Sequence, residues 1–156
     1  MNYKLIILKT IGVEGGYCWD ENDAGGETNF GICKRDNPDV DIKNLTKEQA
    51  IEIYKLKYYD TIQADRIDDV KFRWKLFDMA FNLGPETAVK IVQKVLNITV
   101  DGHVGDDTIG AINSADYDKV IIEIVKEQMK HYCRIVVGNP TQLCFLKGWC
   151  MRAFET

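Results

Sequence analysis

Two histidines and no Cys-x-x-Cys pair leave this 156-residue chain without the ligand spacing of a metal site. Its five cysteines (Cys18, Cys33, Cys133, Cys144, Cys150) are an odd number that fits no disulfide framework. They read as reduced thiols of a protein made in a cytoplasm, mostly packed as small hydrophobes, with a catalytic Cys–His pair as the rarer alternative. Positive charge is not in excess: 20 Lys and Arg stand against 24 Asp and Glu, net −4, with a pI near 5.2. That balance excludes a nucleic-acid-binding surface and a basic, membrane-disrupting tail. No stretch approaches the roughly 20 apolar residues of a membrane span. The early run Leu5 to Leu8 is too short for the centre of a signal peptide. No long strand pattern, heptad run or low-complexity segment is present.

What is present is helical periodicity with clear punctuation. Residues 2–14 read as a first helix and 15–33 as a glycine-rich loop or β-hairpin; 34–44 is a polar connection. Thr46 with Gln49 three residues on is a capping box, opening a helix with the stripe Ala50, Ile53 and Tyr54 that continues to Tyr58. Residues 71–83 are apolar nearly all round, the mark of a buried helix. Gly84-Pro85 ends it, and further helices follow over 86–96, after the turn at 100–108, and over 116–137. Asn139 and Pro140 then cap and open the last one. The fold class is mainly α, a helical globule with a short glycine-rich loop or hairpin after the first helix. The length suits one domain, or one with a small subdomain.

The chemistry concentrates in Glu14-Gly15-Gly16-Tyr17 and in Asp23-Ala24-Gly25-Gly26-Glu27-Thr28-Asn29-Phe30-Gly31-Ile32. Tyr3, Ile7, Ile11 and Glu14 share one face of a helix that reaches residue 14, which would set the Glu14 carboxyl at the edge of the core. Gly15 and Gly16 would then end the helix. Partial desolvation raises a carboxyl pKa, as a general acid near neutral pH requires. Asp23 supplies a second carboxylate, and two carboxylates flanking a scissile bond are the usual equipment of a glycosidase. Thr28 is placed to hold a water opposite the acid. Each piece also has a plain reading, as a Glu at a helix end and an Asn-Asp-Ala-Gly-Gly turn.

Farther on, Asp78 and Asn82 lie four apart on the apolar helix, where buried polar groups need partners. Those partners could be the active-site loop or the substrate, or the two could form a structural pair. Tyr54, Tyr58 and Tyr59 could line a sugar cleft or form a core edge. Asp65, Asp68 and Asp69 read as a solvated acidic connector.

Together these residues resemble the EGGY-type N-acetylmuramidases of glycoside hydrolase family 108, lysozyme-like proteins of phages and bacteria, some of which carry the label of secretion activator. The likeness runs through Leu76-Phe77-Asp78-x-Ala80-x-Asn82-x-Gly84-Pro85. It continues in Val100-Asp101-Gly102-x-x-Gly105-x-x-Thr108 and Gly148-Trp149-x-x-Arg152, which look like the family's C-terminal peptidoglycan-binding region. The resemblance implies a lysozyme-like fold and cleavage of the β-1,4 bond between N-acetylmuramic acid and N-acetylglucosamine. It makes Glu14 the essential residue, with Asp23 and Thr28 ordered behind it much as in tailed-phage lysozymes, though the Thr here comes one residue sooner. Tyr17, Gly26, Asn29, Asp78 and Asn82 are then the expected substrate-binding residues. The expected organisation is a catalytic region over 1–84 and a helical peptidoglycan-binding region over 85–156 packed into the same globule. The expected partner is bacterial peptidoglycan, with no cofactor, no metal, no nucleic acid, no stable membrane insertion and a monomeric state. An endolysin of this kind would wait in the host cytoplasm for a holin to open the membrane. The rival readings are a lytic transglycosylase and a non-hydrolytic wall-binding or secretion-assisting protein.

Overall fold

The computed structural model describes residues 2–12, 16–19 and 26–155. The chain divides into two compact units, Met1–Asp60 and Thr61–Thr156. It is mainly helical, with seven α-helices and one two-stranded antiparallel hairpin among the described residues.

In the first unit, helix α1 (Tyr3–Ile11) opens at Asn2, whose Oδ1 accepts the Lys4 N–H at 2.9 Å. It ends at Gly12, whose φ of 73° and ψ of 164° belong to a region essentially confined to glycine. The helix therefore stops at Ile11, where the sequence had suggested residue 14. Its buried face is Ile6, Ile7 and Thr10, with Tyr3 and Ile11 half-buried. Glu14, expected on the same face, lies outside the described residues.

Helix α2 (Lys47–Tyr54) carries the expected capping box in full: Thr46 Oγ1 accepts the Gln49 N–H at 3.2 Å, and Gln49 Oε1 accepts the Thr46 N–H at 2.8 Å. The helix then widens into a π-helical turn, Lys55–Tyr59, closed by the Asp60 N–H on the Lys55 carbonyl at 2.9 Å. A salt bridge of 2.7 Å from Lys55 Nζ to Asp60 spans the same interval. Tyr54 and Tyr59 are buried there, so these tyrosines belong to the core. Tyr3 ties α1 to this layer by donating to Glu52 Oε1 at 2.9 Å, with its ring 6.1 Å from that of Tyr59.

In the second unit a 3₁₀ turn (Ala64–Arg66) leads to α3 (Val70–Leu83), α4 (Pro85–Val95), α5 (Asp106–Ser114) and α6 (Tyr117–Gly138). A second 3₁₀ turn (Pro140–Gln142) precedes α7 (Leu143–Glu155). Asp69, expected only as a solvated charge, caps α3 by accepting the Phe72 N–H at 2.8 Å. Phe72, Leu76, Phe77 and Met79 of α3 are fully buried, each contributing about 1.5–3 kcal/mol. α6 and α7 share a second cluster, in which Val125, Tyr132 and Ala153 pack with Leu83, Met129, Leu146 and Trp149.

All five cysteines are free. Cys18, Cys133 and Cys144 are exposed and the other two half-buried, so the expectation of packed hydrophobic thiols is corrected. Among the described residues no helix is long and apolar enough to cross a membrane.

Candidate active site

The glycine-rich stretch forms a hairpin, β1 (Thr28–Asn29) against β2 (Ile32–Cys33), in the register Thr28↔Cys33 and Asn29↔Ile32. Its two turn residues, Phe30 (φ 50°) and Gly31 (φ 75°), both lie in the left-handed region, as a tight type I′ connection demands. That conformation is unfavourable for phenylalanine and is held by Tyr54, whose hydroxyl donates to the Phe30 carbonyl at 2.8 Å. Burial pushes the Tyr54 hydroxyl up to about 12, so it stays a donor across the physiological range. A Cβ on Gly31 would stand 2.7 Å from the same hydroxyl oxygen. Glycine is thus required here twice, by φ and by space.

A third segment lies along the other side of β1. The Cys18 N–H donates to the Thr28 carbonyl and the Thr28 N–H to the Cys18 carbonyl, both at 2.8 Å. Thr28 is half-buried between Cys18 and Cys33 in one row. Asn29, on the opposite face, is 5% exposed, and its Nδ2 donates to the carbonyls of Ile42 (3.0 Å) and Leu45 (3.4 Å). Asn29 therefore anchors the hairpin to the connection that follows it. Gly26 precedes the hairpin with φ 69°. Tyr17 is exposed and donates its hydroxyl to Glu27 Oε1 at 3.2 Å; desolvation and this carboxylate push the hydroxyl above its ordinary value. Glu14 and Asp23 both lie outside the described residues.

In the second unit, Asp78 has a partner that the sequence reading did not name. Its Oδ1 accepts two bonds from Arg152 of α7, from Nε at 3.0 Å and Nη2 at 2.8 Å, while Oδ2 is buried with no hydrogen-bond partner among the described residues. Asn82 is exposed and donates to the Asp78 backbone carbonyl at 2.6 Å. One turn earlier on α3, Lys75 is fully buried, and its Nζ donates to the Ala153 carbonyl at 2.7 Å. Two adjacent polar contacts thus bind α3 to the end of α7.

Gln93 of α4, 1% exposed, organises the 101–108 loop. Its Nε2 donates to Asp101 Oδ1 (2.8 Å), the His103 carbonyl (2.9 Å) and Thr108 Oγ1 (3.2 Å). Its Oε1 accepts the N–H groups of Asp101 (3.1 Å) and Gly102 (2.9 Å). A cleft of about 700 Å³ opens beside this loop, lined by Asn97, Asp101, His103, Asp107 and Thr108 among others. The His103 N–H and Gln93 side chain bonds hold Asp101 below the usual carboxylate range. The sequence reading singled out the loop motif but not Gln93; the available signal was a glutamine on the buried side of a helix otherwise lined by Ala88, Val89 and Val92. Among the described residues no group of three or more His, Cys, Asp or Glu could hold a metal ion.

The family model described as Glycosyl hydrolase 108 matches residues 7–84, the stretch that holds the hairpin, and one described as Predicted Peptidoglycan domain matches residues 87–154. The fold is similar to the solved structure of SagA from Brucella abortus, at 28% identity and a TM-score of 0.76, over 97% of this chain and 88% of that one. No curated protein matches the chain. With half of its length matched by the first model, and with the motif and hairpin inside that half, the chain belongs to the glycosyl hydrolase 108 family.

Proposed function

We propose that this protein is an N-acetylmuramidase that cleaves the β-1,4 bond between N-acetylmuramic acid and N-acetylglucosamine in peptidoglycan. The observation that supports this most is the order of the two family matches: a glycosyl hydrolase region spanning Glu14 to Asn29, followed by a peptidoglycan domain. In this reading Glu14 protonates the glycosidic oxygen as general acid. Asp23 supports the oxocarbenium-like transition state or activates water, and Thr28 holds that water. The hairpin's role is to fix Thr28 between Cys33, which it faces in the register, and Cys18, which takes both of its backbone bonds, so that its hydroxyl is held by a framework of strands. Delivery from a host cytoplasm after membrane opening belongs to the same proposal.

The test is turbidity loss of purified peptidoglycan by wild type and by Glu14→Gln, with folding followed by circular dichroism. The expected result is clearing that falls at least about 100-fold in a folded mutant. Equal clearing by both proteins would remove Glu14 from the mechanism. Binding without clearing by either would make this a wall-binding protein, and anhydro sugars in the mass spectra of the products would make it a lytic transglycosylase.

A further inference from the structure

Two large aromatic side chains beside the hairpin have been left to solvent: Tyr17 is 41% exposed and Trp19 62%. The reciprocal Cys18–Thr28 bonds hold segment 16–19 extended, and in an extended chain side chains two apart leave from the same face. Because residue 18 stands opposite residue 28, Trp19 stands opposite Glu27, on the side away from Thr28. The Tyr17 hydroxyl reaches Glu27 Oε1 across the same face and fixes the carboxylate's orientation. The result is two exposed rings with an oriented acceptor beside them, inside the stretch matched to the glycosyl hydrolase family.

We propose that Tyr17, Trp19 and Glu27 form a sugar-binding platform that takes one N-acetylated hexosamine ring of a glycan strand. The C–H face of the pyranose lies on the indole of Trp19, since an aromatic face is electron-rich and attracts the weakly positive C–H groups. The Glu27 carboxylate accepts a sugar hydroxyl or the N-acetyl N–H, and Tyr17 keeps it aimed. A carboxylate has about four acceptor sites, so the bond from Tyr17 leaves capacity for sugar donors. The platform rests on the muramidase reading for the identity of the sugar, and it adds Trp19 and Glu27 as residues that hold substrate without taking part in bond cleavage.

The experiment is calorimetric titration of the full chain with soluble glycan strands freed of their stem peptides. Binding is measured in a Glu14→Gln background so that the strands survive, and KM and kcat are measured in the wild-type background. Trp19→Ala is expected to weaken binding about tenfold and to raise KM with little change in kcat. Trp19→Phe, which keeps a ring, is expected to stay within about threefold. Glu27→Gln is expected to weaken binding less than Trp19→Ala. A parent protein that does not bind the strands, or Trp19→Ala and Glu27→Gln variants that bind as the parent does, would overturn the platform. Trp19-dependent binding in a protein that cleaves nothing leaves the platform standing and removes the muramidase reading. Intact cleavage with unchanged Kd and KM in Trp19→Ala does the reverse.

Discussion

Each unit of this protein fixes a glycine-containing turn with one buried carboxamide, but the two do so differently. Asn29 sits inside the hairpin and reaches outward from Nδ2 to the carbonyls of Ile42 and Leu45. Gln93 sits outside its loop, on α4, and closes on it from both ends of the amide, with three acceptors on Nε2 and two donors on Oε1. The hairpin has a backbone ladder of its own and needs the side chain only as a tether. The 101–108 loop up to Asp106 has no strand or helix, so its geometry is that of the Gln93 amide. A turn defined by its backbone tolerates loss of a tether, whereas one defined by a side chain does not.

Replacing each amide by an isosteric apolar side chain breaks this comparison most directly. Gln93→Leu removes five contacts to the loop, takes the acceptor from the Asp101 and Gly102 N–H groups, and is expected to cost about 3–5 kcal/mol. Asn29→Leu strips two carbonyls of one donor group and is expected to cost about 1–3 kcal/mol. Denaturant unfolding of both variants measures the difference. A larger loss for Asn29→Leu would mean that the hairpin, too, is defined by its side chain.

The glycines sharpen the same contrast at a smaller scale. Gly31 and Gly102 both have positive φ, 75° and 81°, so an alanine at either pays the left-handed penalty of about 1–2 kcal/mol. A Cβ would meet an atom at 2.7 Å in both places, but the neighbours differ. At Gly31 it is the hydroxyl of buried Tyr54, already committed to the Phe30 carbonyl. At Gly102 it is Glu86 Cγ, with Lys90 Cε at 3.0 Å, on two exposed side chains able to swing aside. Gly31→Ala is therefore expected to cost about 2–3 kcal/mol and Gly102→Ala about 1–2 kcal/mol. Equal melting temperatures for the two variants would show that the Tyr54 contact relaxes as readily as the lysine and glutamate do.

Helices were legible in this sequence wherever punctuation was local. Thr46 with Gln49 is a cap formed within three residues and occurs as read, while Asn139 with Pro140 caps a 3₁₀ turn, Pro140–Gln142, and the last helix follows from Leu143. The end of α1 was misplaced because several glycines follow closely and the pattern does not say which ends the helix; Gly12, with φ 73°, does. The buried polar groups were legible only halfway. Asp78 is buried as expected from an apolar helix, yet its partner Arg152 lies 74 residues on, beyond any periodicity argument. Lys75 was passed over because a lysine in an apolar stripe reads as a solvent-facing position. Tyr17, Thr28 and Asn29 were visible as a motif, but the tethering role of Asn29 was not, since its acceptors lie in a connection that reads only as polar.

Lys75 and the buried tyrosines Tyr54 and Tyr117 respond to alkali in opposite senses. Burial, opposed by the nearby Asp78 carboxylate, pushes its ammonium down to about 8 from an ordinary 10.5. Between those values the unfolded chain binds more protons than the folded one, so stability rises with pH through that window. Tyr54 in the first unit works the other way. Its hydroxyl is raised from 10 to about 12, so its contribution is complete below pH 10 and is lost as pH climbs toward 12. From about pH 8 to about 9.5 the lysine acts without the tyrosine. Denaturant unfolding across that range is expected to show a gain of about 1 kcal/mol, bounded by about 1.4 kcal/mol per pH unit for one proton. Lys75→Met keeps most of the buried stem and removes the titrating group, so its stability should be flat over the same range. An unchanged slope in Lys75→Met would assign the alkaline response to other groups and leave Lys75 charged throughout the range, a buried ammonium donating to the Ala153 carbonyl.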